Sequence, residues 1–149
     1  MNDIPTERDW RTERWSEHTP DAYRAFFSKS REDAVRLFGN DAQTRYNELC
    51  SMPVGCFSYY VHSYIDYLVS DRSKGDSAGG AYFLCLVDER LTDIMKFDTV
   101  VINAFVDVLG YLNDNQSWFE TDNELYFGTV SRIKRLKRFL ISLGADHGG

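Results

Sequence analysis

The sequence predicts an all-α fold, a compact single-domain bundle of about six helices, within its 149 residues. Three observations carry that expectation. Apolar residues recur at i, i+3, i+4 and i+7 in most segments long enough to test. Capping residues stand where those runs begin. No two stretches combine strict alternation with the β-branched content of paired strands. A chain of this length buries a sizeable core without metals or cross-links. A hydrophobic share of 43% and an aromatic share of 15% argue against disorder.

Residues 1–18 read as a polar arm. Its opening, MNDIPTERDWRTERW, has neither the apolar core of a signal peptide nor the acid-poor character of a transit peptide, so a cytoplasmic protein is expected. No uninterrupted apolar run approaches the roughly twenty residues of a membrane span. Within the arm TERDW and TERW echo one another, but two units do not make a solenoid. Trp10 and Trp15 either clamp the arm onto the domain or anchor a partner.

The helical domain is expected over residues 19–144. Thr19 and Pro20 mark a helix start, and Tyr23, Phe26, Phe27, Ala34, Leu37 and Phe38 keep helical spacing until Gly39. Asp41 caps a shorter helix with Ala42, Tyr46, Leu49 and Cys50 inward, stopped by Pro53. Phe57, Tyr60, Val61, Tyr64, Ile65, Leu68 and Val69 then form one buried stripe of a third helix. Ser70 to Gly80 is polar and glycine-rich and reads as a mobile loop; a domain boundary there is possible but would leave two undersized halves.

AYFLCLV suits either a buried strand or a buried helix. Helix is preferred, because Leu84, Val87, Leu91, Ile94 and Met95 extend one face and no partner strand is visible. Asp98 caps TVVINAFVDVLGYL, which is apolar nearly all round and reads as the central helix, ending at Asn113 to Gln116. Thr121 and Glu124 form a capping-box pattern for a last helix carrying Tyr126, Val130, Ile133, Leu136, Leu140 and Leu143, closed by Gly144. Residues 145–149 read as a frayed tail. One core is expected to hold Phe57, Tyr60, Tyr64, Ile65, Phe105, Leu109, Val130 and Ile133.

The chemistry-bearing residues narrow the function. Cys50, Cys56 and Cys85 cannot all pair within one chain, have no second cluster to complete a zinc site, and sit among apolar neighbours, so they are expected as reduced core thiols. His18, His62 and His147 lie on unrelated segments. GDSAGG lacks the lysine and the preceding strand of a phosphate loop, and DERLTD lacks the spacing and glycine of a calcium loop. No metal and no cofactor is expected. A formal charge of -6 disfavours nonspecific binding to nucleic acid or anionic lipid and suits a basic partner.

Three surfaces compete for that role. On the third helix, removal of the buried stripe leaves Tyr59, His62, Asp66 and Tyr67 on the opposite side. Asp66 one turn from His62 is the geometry of a carboxylate holding an imidazole, with Tyr59 one turn before. Catalysis also needs a nucleophile or an oxyanion site, and no motif supplies one, so a partner-facing role is preferred.

Between Asp88 and Glu124 stand nine acids, Asp88, Glu89, Asp93, Asp98, Asp107, Asp114, Glu120, Asp122 and Glu124, against Arg90 and Lys96, a local excess of about seven negative charges. Such a block is either a solvated face or a steering surface for a cationic partner. RIKRLKR, Arg132 to Arg138, is either the ordinary cationic end of an amphipathic helix or a phosphate contact, and the overall acidity favours the former.

These features lead to a non-enzymatic acidic binding protein that neutralises a more basic protein such as a toxin or nuclease, with no membrane and without direct nucleic-acid binding. By class analogy this is a toxin-immunity protein or an antitoxin-like inhibitor. The expected partner-binding residues are Tyr59, His62, Asp66, Tyr67, Asp88, Glu89, Asp93 and Asp114. Two alternatives stand beside it: a phage-type inhibitor or adaptor of a nucleic-acid-binding machine, and a small helical enzyme using Tyr59, His62 and Asp66.

Overall fold

The computed structural model describes the backbone of residues 3–119 and 129–148 and the side chains of residues 3–119 and 131–143. Among these residues all regular structure is helical, in ten α-helical segments and two 3-10 turns. The ambiguous AYFLCLV lies inside a helix. The chain divides into two compact units, Met1–Arg72 and Ser73–Gly149. The division falls inside the polar stretch Ser70 to Gly80.

The first unit is organised around α5 (Val54–Leu68), the helix of the aromatic stripe. Pro53 stands at its N-cap, and the backbone N–H of Val54 donates to the Glu13 carboxylate at 2.7 Å, so the arm supplies the anion that the helix N-terminus attracts. Phe57, Tyr60, Val61, Tyr64 and Leu68 are essentially inaccessible. Each such side chain contributes on the order of 2 kcal/mol by leaving water. Val69, placed in the stripe from spacing, lies just beyond the helix and is 47% exposed.

The arm is folded. Thr6 and Asp9 form a reciprocal capping box for α1 (Glu7–Trp10), and Trp10 is fully buried with its ring 5.5 Å from Tyr23, edge to face. Trp15 donates its indole N–H to the Trp10 carbonyl at 2.7 Å. Trp10 thus clamps the arm onto the unit.

The helix expected from Thr19 to Phe38 is broken. It consists of α2 (Thr19–Phe26), then α3 (Arg31–Ala34), which tightens into a 3-10 turn at Val35–Leu37. At the break Ser28 takes φ 67, a left-handed conformation that side chains other than glycine rarely adopt. Ser30 restarts the helix, its hydroxyl accepting from the Asp33 N–H at 3.1 Å. The apolar spacing continues across the break, which is why spacing alone joined the two pieces. Asp41 caps α4 (Ala42–Cys50) as expected, and the Thr44 hydroxyl at 2.6 Å, followed by its backbone N–H, holds the Asp41 carboxyl below its ordinary range.

In the second unit, α6 (Ser77–Glu89) begins inside the stretch read as a loop. Asp76 caps it through the Gly79 N–H, and Gly79 and Gly80 are buried. Upstream, Gly75 N–H donates to the Trp118 carbonyl at 2.7 Å and the Trp118 indole donates to the Ser73 hydroxyl at 3.0 Å, which ties that segment to α9 (Gln116–Phe119). Arg90 separates α6 from α7 (Leu91–Ile94), leaving Met95 38% exposed rather than on a shared inner face.

Asp98 caps α8 (Thr99–Asp114) through the Val101 N–H. This helix buries Ile102, Phe105, Val108, Leu109 and Leu112 but exposes Val100, Asn103, Asp107 and Asp114, so it is amphipathic rather than enclosed. Against α8 and α6 packs α10 (Thr129–Gly148) through Ile133, Leu136 and Leu140. It runs past Gly144, the expected stop. The Thr121 and Glu124 capping box, Tyr126 and the Val130 side chain lie outside the described residues. The residues expected in one core divide between the units, with Phe57, Tyr60, Tyr64 and Ile65 in the first and Phe105, Leu109 and Ile133 in the second.

Candidate functional site

The side of α5 opposite its stripe is not an open surface. Tyr59 is 7% exposed and Tyr67 1% exposed, where both were expected to face a partner. The reason is the broken helix before α4, which returns across this side and is held by it. The Arg31 N–H donates to the Tyr59 hydroxyl at 2.9 Å, and the Ser63 hydroxyl donates to the Arg31 carbonyl at 2.8 Å. The Tyr60 hydroxyl lies 2.8 Å from the Phe26 carbonyl and 2.7 Å from that of Lys29, and burial pushes its phenol well above the ordinary tyrosine range.

Asp66 completes the grip. Both of its oxygens accept from Arg31, from Nε at 2.7 Å and Nη2 at 2.8 Å, and these bonds raise the Arg31 guanidinium above its usual value. Asp66 therefore engages Arg31, and His62 stands half-buried one turn earlier. Further along, Arg72 lies over the Tyr67 ring and donates to the carbonyls of Val35 at 3.2 Å and Phe38 at 2.9 Å. Tyr59, Asp66 and Tyr67 thus hold one backbone segment, residues 26–38. Sequence spacing missed Arg31 and Arg72 because Asp66 for the one, and the Val35 and Phe38 carbonyls for the other, lie more than thirty residues away along the chain.

The acidic block is partly neutralised from within. Asp88 on α6 accepts from Arg132 Nε at 2.8 Å and also from its Nη2, with Arg135 Nη2 3.8 Å away. Burial pulls the Arg132 guanidinium down, and the bonds to Asp88 outweigh it, leaving it raised. Asp93 accepts from Arg90 Nε at 2.9 Å and Nη2 at 2.7 Å. Asp98 is committed to its cap. Glu89, Asp107 and Asp114 are exposed and have no ion-pair partner among the described residues. Glu120, Asp122 and Glu124 lie outside the described residues.

The cations of RIKRLKR divide in the same way. Arg132 is held by Asp88, and Lys137 extends over Gly110 of α8. Lys134, Arg135 and Arg138 face outward with Ser131, Phe139 and Ser142 along a shallow recess of about 570 Å³.

A fourth feature has no counterpart in the sequence pattern. Between α2 and α4 runs a groove of about 500 Å³ lined by His18, Asp21, Arg24, Ala25, Thr44, Asn47 and Glu48. Glu48 is 4% exposed. Arg45 donates to its Oε2 at 3.2 Å, while Arg45 Nε and Glu48 Oε1, 2.9 Å apart, are too poorly aligned for a hydrogen bond. Burial raises the Glu48 carboxyl to about 7, Arg45 pulls it back, and Asp21 and Asp41 add to the rise.

Cys50, Cys56 and Cys85 are not disulfide-bonded. Among the described residues no group of three or more His, Cys, Asp or Glu side chains is arranged to hold a metal, and no helix is long and apolar enough to cross a membrane. No protein-family model matches the chain, and no curated protein or solved structure matches it significantly.

Proposed function

We propose that this chain is a cytoplasmic, non-enzymatic binding protein that neutralises a more basic protein partner, in the manner of a toxin-immunity or antitoxin-like inhibitor. The observation that carries the proposal is the state of the acids. Glu89, Asp107 and Asp114 present charge that nothing among the described residues neutralises, while Asp88 and Asp93 are occupied by Arg132 and Arg90. Exposed, unpaired carboxylates keep their long-range field and steer a cationic partner; paired ones lose most of it. The working acids of the proposal are therefore Glu89, Asp107 and Asp114.

The test starts from the partner captured in the native cell and measures association across ionic strength. Asp107→Lys with Asp114→Lys should slow association roughly tenfold at low salt and flatten its salt dependence, with stability nearly unchanged because both sites are exposed. Equal association rates for wild type and the double variant at low salt would sink the proposal.

A further inference from the structure

The outward face of α10 is unlike an ordinary solvated helix face. Its inner side, Ile133, Leu136 and Leu140, is buried, and diametrically opposite run Ser131, Arg138, Ser142 and Arg135, with Lys134 beside them. At 3.6 residues per turn, Ile141 borders this cationic strip beside Lys134, and Phe139 borders it beside Arg135. Ile141 is 50% exposed and Phe139 37% exposed. Among the described residues Lys134 and Arg138 have no ion-pair partner, and there Arg135, 69% exposed at its side chain, makes only the long contact to Asp88. In α10 (Thr129–Gly148) these cations stand in the N-terminal half, so complementing the helix dipole does not account for them, nor for large apolar side chains on both of their flanks.

We propose that this stripe docks an acidic amphipathic helix of another protein, its carboxylates on Lys134, Arg135 and Arg138 and its apolar side chains against Phe139 and Ile141. The stripe from Ser131 to Ser142 is roughly 17 Å long, the length of about three turns of a helix laid along it. Carboxylates at i and i+4 of such a helix meet cations clustered within little more than one turn. A polynucleotide fits less well, for the cations extend roughly 6 Å along the axis, enough for two or three phosphates, and its remaining charge meets a chain of net charge -6. The inference is independent of the acidic face proposed above, which takes a partner of opposite sign.

The test uses the full isotope-labelled chain and follows backbone amide resonances during titration with a synthetic acidic helix of about 18 residues carrying glutamates and leucines on one face. The same titration is run with a peptide whose leucines are replaced by serine, with a single-stranded oligonucleotide of about 20 thymidines, and with anionic vesicles. The expected result is shifts confined to residues 131–142, binding weakened roughly tenfold by Lys134→Glu with Arg138→Glu, and several-fold weakening by Phe139→Ser or by the serine peptide.

Lys134→Ala with Arg138→Ala, which removes charge without reversing it, should weaken binding in the same direction and guards against misfolding of the glutamate variant. Asp107→Lys with Asp114→Lys should leave this binding unchanged, which separates it from the acidic-face proposal. Shifts elsewhere, equal binding of the serine peptide, or binding of the oligonucleotide or vesicles in place of the acidic helix would each overturn it.

Discussion

Tyr60→Phe isolates the bond network by which α5 holds the residue 26–38 segment. Its ring is fully buried, 5.0 Å from the Phe26 ring and 6.3 Å from that of Trp10. Phenylalanine keeps those contacts, so the change removes only the hydroxyl. That hydroxyl serves the carbonyls of Phe26 and Lys29 just before and just after Ser28, the left-handed residue of the turn. Its proton is shared between them; the Phe26 carbonyl keeps the Lys29 N–H at 3.0 Å, so the Lys29 carbonyl is the one left poorly satisfied, at a cost of about 2 kcal/mol.

Tyr59→Phe provides the comparison. It removes the acceptor of the Arg31 N–H, but Arg31 is exposed and water replaces the bond, so about 1 kcal/mol is expected. Urea unfolding followed by circular dichroism, with an unchanged slope, reads both values from the midpoints. A loss under about half a kcal/mol for Tyr60→Phe would show that the hydroxyl does not hold the turn in solution. A larger loss for Tyr59→Phe than for Tyr60→Phe would refute the ordering by burial.

Glu48 predicts a pH dependence. Below pH 4.5 its carboxyl is protonated folded and unfolded alike, so burial carries no ionisation cost. Between 4.5 and about 7 the unfolded chain ionises first and stability falls, reaching a full loss of about 3 kcal/mol above pH 7. The stability difference between wild type and Glu48→Gln, measured from pH 4 to 8, should therefore move in favour of glutamine as pH rises; a difference that stays flat removes the burial argument. Two helical glycines should respond oppositely to alanine. A Cβ at Gly79 would stand 2.4 Å from the Asp76 carboxylate and displace the cap, costing about 1 kcal/mol. At Gly110 it meets only the end of the long Lys137 side chain, with the amine at 3.1 Å, and Gly110→Ala should stabilise by up to about 1 kcal/mol in thermal unfolding.

Local physics made much of the fold legible from the residues alone. The period of Phe57, Tyr60, Val61, Tyr64 and Leu68, the caps at Asp41 and Asp98 and the stop at Pro53 act within one or two turns, so they specify helix and inner face without reference to the rest of the chain. What lay beyond that range was settled by tertiary structure. The break at Ser28 is stabilised by Tyr60 and Ser63, more than thirty residues away, and no local signal reports that help.

The same reason explains the candidate sites. Tyr59, Asp66 and Tyr67 look free on a helical wheel because the segment that covers them is distant in sequence, and Asp88 looks unpaired because Arg132 lies forty-four residues on. Composition determined the charges of this chain and periodicity determined its helices. Which charges stay free to meet a partner depended on side chains brought together only by folding, because pairing and burial are properties of neighbours in space.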